Sequence, residues 1–296
     1  MAHLSLSCLG PLQVELDGQP VTDFKSNKVR ALLSYLAVEA DRPHHREVLA
    51  GLLWPDWPDR DALSNLRYSL SNLRRVIDDQ SAAPPYLHIT RETLQFNISS
   101  DHWIDVAAFR ELTESQPDAA VESQGLDRVE EAVRLFRGDF LEGFSISDSI
   151  GFEEWVELKR RQLTQMLSSS FRYLILSFEQ RGEFEQAQNY ARKQIEIEPW
   201  DELAHQQLMR SLALSGQRGA ALVQFELCRH LLAEELDVDP TLETKQLHEQ
   251  IRTGKLHAQD APPVSPIEAE IACPAFLVEK EPQIDIPVFV AREFEL

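Results

Sequence analysis

Apolar residues change their spacing several times along this 296-residue chain. Over residues 3–9, and again over Leu12-Gln13-Val14-Glu15-Leu16, polar and apolar positions alternate. Gly10-Pro11 interrupts the alternation and Asp17-Gly18 ends it, which predicts a small antiparallel sheet. The spacing then becomes helical. Ser26 can cap a helix that carries Val29, Leu32, Leu33, Leu36 and Ala37 on one stripe and stops at Asp41-Arg42-Pro43, and a short second helix is expected over about residues 45–53. Trp54-Pro55-Asp56-Trp57-Pro58-Asp59 forms a rigid turn, because a residue before proline is pushed out of the helical region. A third, longer helix starts at Asp59 or Asp61 and carries Leu63, Leu66, Leu70, Leu73 and Ile77. Beyond Pro84-Pro85, residues 86–89 and 94–96 read as two strands of a hairpin around Arg91-Glu92. From Trp103 onward the pattern is helical throughout, with helices expected over about residues 105–112, 126–136, 155–178 and 241–252. Residues 258–288 are rich in Pro, Ala and acids without a period and read as a linker.

Within the helical half the chain echoes itself. Leu174, Phe178, Gly182 and Ala187 recur 34 positions later as Leu208, Leu212, Gly216 and Ala221, and Pro199 closes the first copy. A small residue where two helices cross, a turn glycine between them and this period are the sequence sign of tetratricopeptide helix hairpins. Such hairpins bury their apolar faces against neighbours and present a surface to protein partners, so chemistry must be sought elsewhere.

The formal net charge of −20 argues at first against nucleic acid, since phosphate contacts need lysine and arginine. The distribution changes that picture. Ten basic residues against twelve acidic ones give residues 1–100 a net charge of −2, which leaves −18 for residues 101–296. Residues 62–77 hold three arginines and no carboxylate, so a locally basic helix stands inside an acidic protein. Cys8, Cys228 and Cys273 match no metal spacing, which favours a reduced, cytoplasmic setting over a disulfide framework. No apolar run reaches membrane length.

Strands, three helices and a terminal hairpin in this order make a winged helix, in which the third helix enters the DNA major groove. The expected fold is therefore mainly α with a small α+β domain: a winged helix-turn-helix over residues 1–98, then an all-α tetratricopeptide-like domain over 102–255, with 256–296 as linker. At 100° per residue, Ser64, Tyr68, Ser71 and Arg75 lie opposite the leucine stripe of the third helix, flanked by Arg67 and Asn72. A solvated helix face would look the same by amphipathicity alone. The ordered context makes these residues candidates for base edges and phosphates. Arg74 lies near the core edge, where a salt bridge competes with a phosphate contact. Lys25 and Lys28 at the start of the first helix, and Arg91 in the wing, are ordinary surface charges that become phosphate contacts if the domain docks as expected.

Seven stretches carry a resemblance to a known family. They are Leu52-Leu53-Trp54-Pro55-Asp56, Asn65-Leu66-Arg67, Leu73-Arg74-Arg75, Trp103-Ile104-Asp105-Val106, Gly138-Asp139-Phe140-Leu141-Glu142-Gly143-Phe144, Glu154-Trp155 and Glu234-Glu235-Leu236-Asp237-Val238-Asp239-Pro240. In this order they resemble the SARP-type bacterial transcription activators, which join a response-regulator-like winged helix to a bacterial transcriptional activation domain. The resemblance covers about residues 1–255 and departs at Asp237, near which the family usually has glycine. It implies that an arginine at the position of Arg67 and the basic pair Arg74-Arg75 lie at the DNA surface. It also implies cooperative binding to direct repeats of double-stranded promoter DNA, with a homodimer on DNA as one form, and recruitment of RNA polymerase or another protein through the helical repeats. Residues 287–296 resemble the segment that opens the nucleotide-binding domain of many signal-transduction ATPases, with Ala291 where glycine is usual. Two other readings stay open: a protein-interaction scaffold with a degenerate winged helix, and the regulatory segment of a larger ATPase.

Other residues point to no chemistry. The adjacent His44 and His45 diverge and cannot chelate as an i, i+4 pair would, and Trp54, Trp57, Trp103 and Trp155 sit beside apolar positions as core anchors. The pairs Glu153-Glu154 and Glu234-Glu235 suit solvated helix faces. With no phosphate loop, nucleophile elbow or H-E-x-x-H helix in the sequence, the expectation is a binding protein with no cofactor, metal or membrane partner, rather than an enzyme.

Overall fold

The computed structural model describes residues 3–114 and 122–256. Alternation in the first segment produces β1 (Leu4–Ser7) and β2 (Gln13–Leu16), antiparallel with Leu4 opposite Leu16 and Leu6 opposite Val14. Leu4 and Leu6 are fully buried on the core face. Asp17 and Gly18, both at positive φ, turn the chain into β3 (Gln19–Pro20). Next come α1 (Asn27–Val38), β4 (His44–His45), α2 (Arg46–Leu53), α3 (Asp59–Val76) and the wing strands β5 (Leu87–Ile89) and β6 (Thr93–Phe96). The wing sheet runs β4-β6-β5. On α3 the stripe Leu66, Leu70, Leu73 and Ile77 is buried, so the period-3.6 pattern fixes which face of this helix looks outward.

Residues 102–104 depart from the helical expectation. His102–Ile104 forms β7, parallel to β1 with Leu6 opposite Ile104, which completes a sheet of order β3-β2-β1-β7. Parallel pairing needs a long crossover, and here the winged helix supplies it. Ile104 is thereby buried, and Asp105, which opens α4 (Asp105–Glu114), turns its carboxylate back to accept from the N–H groups of Cys8 and Leu9 at 2.7 and 2.8 Å.

The remaining helices are α5 (Glu122–Arg134), α6 (Ile150–Gln180), α7 (Phe184–Ile197), α8 (Glu202–Leu214), α9 (Arg218–Leu236) and α10 (Leu242–Thr253). The sequence echo has a structural meaning at each position. Leu174 and Leu208, Phe178 and Leu212, and Ala187 and Ala221 are buried pairwise, with both alanines at zero exposure. Gly182 and Gly216 take positive φ between α6 and α7 and between α8 and α9. Past each glycine the same helix-terminating bond forms, from Glu183 N–H to the Phe178 carbonyl and from Gln217 N–H to the Leu212 carbonyl. The chain is mainly helical, a winged helix followed by tetratricopeptide-like hairpins.

A ladder of main-chain bonds welds the two parts. Arg137 N–H donates to the Leu9 carbonyl, Gly10 N–H to Asp139, Leu141 N–H to Cys8 and Glu142 N–H to Gly10. Gly10, which interrupts the sheet pattern, has φ +127, and a Cβ there would stand 3.1 Å from Arg137 Cβ. Side chains reinforce the weld. The Glu39 carboxylate accepts from Trp155 Nε1 at 2.8 Å and pairs with Lys159 at 2.7 Å, and the Ser149 hydroxyl donates to the Leu52 carbonyl. Burial alone raises the Glu39 carboxyl, but Lys159 and the Trp155 bond reverse this and hold it below the usual range. The expected linker and the ATPase-like segment at 287–296 lie outside the described residues. Among the described residues no helix is long and apolar enough to cross a membrane.

Candidate nucleic-acid interface

Outward from the leucine stripe, α3 exposes Ser64, Arg67, Tyr68, Ser71 and Arg75, with Tyr68 58% accessible. Arg75 has no ion-pair partner among the described residues. This face is carboxylate-free from Ala62 to the helix end.

Asn72 departs from its expected place at the flank of that face. It is 5% exposed, and its Oδ1 accepts from the Lys25 N–H at 3.0 Å, so it ties the start of α1 to α3. An amide pinned under the α1 entry is withheld from solvent. The same junction positions Lys25, whose ammonium donates to the Tyr68 hydroxyl at 2.7 Å and lies 4.9 Å from the Tyr68 ring centre.

Arg74 and Lys28 are engaged within the protein. Arg74 Nε donates to Asp79 Oδ2 at 2.9 Å, while the other oxygen of that buried carboxylate accepts from the Leu87 N–H, so the pair fixes the wing relative to the end of α3. Lys28 pairs with Asp148 at 2.7 Å and lies over the Trp54 ring, with its side chain 14% exposed. Its charge is spent on the junction with the helical part.

The wing adds what the sequence leaves unread. Arg67 and Arg91 share an open cleft of about 390 Å³ with His45 and Arg46, alongside Glu47 and Glu92. Arg46 is held in it by two bonds from its guanidinium to the Thr90 carbonyl, at 3.2 and 2.8 Å. Burial, and after it the nearby Arg67 charge, disfavours the Arg46 cation. No sequence signal marks Arg46 or His45, because the cleft depends on the carbonyl of a wing residue 44 positions further on.

His44 is buried with Nε2 2.8 Å from the Glu39 carbonyl, while His45 faces solvent, so the two rings part. Among the described residues no group of three or more His, Cys, Asp and Glu is placed to hold a metal. Trp54 and Trp155 are core anchors, whereas Trp57 is 51% exposed. It lies between Pro55 and Pro58, in the turn that leads out of α2.

The bacterial transcriptional activator domain matches this chain over residues 104–252. The chain is 26% identical over 263 residues to the transcriptional regulatory protein EmbR of Mycobacterium tuberculosis, covering 84% of this chain and 63% of that protein. It is likewise 26% identical over 256 residues to the regulatory protein AfsR of Streptomyces coelicolor, covering 84% of this chain and 24% of the relative. This chain thus spans less than two thirds of the length of either. A solved structure of Mycobacterium tuberculosis EmbR in complex with a low-affinity phosphopeptide superposes with a TM-score of 0.72 at 24% identity, over 88% of this chain and 68% of that one. The likeness to that structure is one of fold.

Proposed function

This chain belongs to the SARP-type bacterial transcription activators, built on the bacterial transcriptional activator domain, and on that premise we propose that its α3 face and wing hold promoter DNA while its helical repeats contact the transcription machinery. The observation that carries the reading is the meeting of Arg46, Arg67 and Arg91 around one cleft beside the carboxylate-free face of α3. Ser64, Tyr68, Ser71 and Arg75 then face base edges or phosphates, and Lys25, bonded to Tyr68, approaches the backbone. The work is binding, with no catalytic step assigned to any residue. RNA polymerase or another protein is the partner of the repeats, and a homodimer is one form on DNA.

Salt-dependent binding tests the reading. Arg67→Ala and Arg75→Ala are compared with Arg161→Ala, which alters an exposed arginine of α6, on a native upstream site and on random DNA. Loss of a phosphate contact lowers affinity on both DNAs and reduces the salt slope by about one. Loss of a base contact reduces discrimination at one position by ~1–3 kcal/mol. Unchanged affinity, slope and discrimination in both α3 variants, with the fold intact by circular dichroism, would falsify the interface.

A further inference from the structure

Two linkers at one end of the helical repeats carry an unusual surface. The α7–α8 linker and the α9–α10 linker are joined by Glu202, whose carboxylate accepts from the Thr241 N–H at 2.7 Å and the Thr241 hydroxyl at 2.8 Å, and which also bonds Thr244. On this joined end Trp200, Leu203, Leu236, Val238 and Leu242 are exposed, Trp200 by 53% and Leu242 by 66%. Single exposed apolar residues are ordinary, but here five lie in or directly beside two linkers that Glu202 ties together. Around them the chain is one-signed. Residues 196–202 and 234–243 hold nine carboxylates and no lysine or arginine.

Several of those carboxylates have internal tasks. Asp201 caps α8, Glu198 accepts from Ser168, Glu202 ties the linkers, and Asp239 pairs with Lys245. Glu196, Glu235, Asp237 and Glu243 are exposed with no ion pair among the described residues. Their charge is uncompensated beside bare apolar area, the pattern that a cationic and apolar partner satisfies together.

We propose that this end of the repeats is a docking surface for a basic amphipathic segment of a partner protein, its apolar face on Trp200 and Leu242 and its lysines or arginines on Glu196, Glu235, Asp237 and Glu243. The proposal rests on the reading that the repeats contact protein, and it names where and with what chemistry. Charge selects against the nearest rivals. Residues 257–296 of this chain carry eight carboxylates against Lys280 and Arg292, and a second copy meeting patch to patch brings like charges together. DNA is repelled by the same carboxylates.

The test uses the full chain and a helical peptide with leucine on one face and lysine on the other, against a scrambled peptide of the same composition. The ordered peptide should bind at least ~10-fold more tightly than the scrambled one, and Trp200→Ser/Leu242→Ser and Glu235→Lys/Glu243→Lys should each weaken it at least ~10-fold. Equal binding of the two peptides, or unweakened binding by both double variants, overturns the proposal. So does dimerisation of the parent chain that Trp200→Ser/Leu242→Ser abolishes, since a second copy then occupies the patch. Hydrogen exchange on promoter DNA with RNA polymerase separates this proposal from the wider one. Protection over residues 197–203 and 236–242 supports both. Protection confined to other helical residues overturns this surface and leaves the wider reading standing, and no protection anywhere from α6 to α10 overturns both.

Discussion

Both α3 and α8 carry polar side chains at regular intervals, yet the two helices spend them in opposite ways. On α3 the leucine stripe packs inward and the opposite face stays open, so Ser64, Arg67, Ser71 and Arg75 meet solvent. On α8, packed between neighbouring hairpins, His205, Gln207, Arg210 and Ser211 are themselves buried. Their bonds run inward: Arg210 Nε donates to Glu179 at 3.2 Å, Ser211 donates to the same carboxylate, and Gln188 Nε2 donates to the Ser211 carbonyl. Burial pushes the Glu179 carboxyl up against the lowering effects of Ser211 and Arg210. A polar residue on a helix therefore becomes available for a partner only where packing leaves its face uncovered. On α8 it specifies how hairpins stack, and on the outer face of α3 it stays open to solvent.

Breaking each network should separate the two uses. Arg210→Ala leaves the Glu179 carboxylate buried without its guanidinium, which costs about 3–5 kcal/mol of stability, while DNA affinity per folded molecule stays at the parent value. Chemical denaturation alongside DNA titration measures both, and full stability in the variant would show that the buried pair is not structural. Ala221→Leu forces apart α8 and α9 at a site with zero exposure and should cost ~1–3 kcal/mol, read as a lower Tm; an unchanged Tm would refute the crossing assigned to the 34-residue echo. Arg67→Ala and Arg75→Ala should change stability by no more than about 0.5 kcal/mol while weakening DNA binding, the reverse of Arg210→Ala.

The smallest effects are in pH. His205 is buried, with Nε2 2.9 Å from the Pro199 carbonyl and Nδ1 2.7 Å from Gln224, and burial lowers its pKa. Its contribution is complete above the ordinary histidine value of about 6.5 and is lost as pH falls from there toward the folded value, because the unfolded chain takes up the proton first. Glu39, held low, contributes fully above about 4.3 and loses that contribution as pH falls through its folded value. Urea midpoints over pH 7.5 to pH 3 should therefore flatten near the upper step in His205→Gln and near the lower step in Glu39→Gln. Identical profiles in the parent and both variants would contradict the assignment.

The comparison also explains what could be read from sequence. Where one face of an element is solvated, the period reveals it: the α3 stripe, the alternation of β1, and the paired Gly182 and Gly216 were all legible. A helical projection places Asn72 at the open flank because it knows one helix, whereas the entry of α1 at Lys25 covers it. Strand β7 was hidden because three residues carry no period and their partner lies 98 positions away. Arg46 gave no signal because its place depends on a wing carbonyl. Gly10-Pro11 reads correctly as a break in the strand, but the sequence is silent on the segment of residues 137–142 that fills it.

That filled break turns the molecule into a set square. With Cys8 to Gly10 laddered onto residues 137–142 and Glu39 clamped by Lys159, α3 and the repeats keep a fixed angle to each other instead of swinging on a tether. On the proposed reading, a joint of this kind converts spacing along DNA into direction around it. Moving the binding site by about five base pairs, half of a turn of roughly 10–10.5, carries the repeats to the far side of the duplex, and a full turn brings them back. Activation should then rise and fall with helical phase as the site is stepped away from the promoter, a periodicity that a flexibly joined pair of domains would blur.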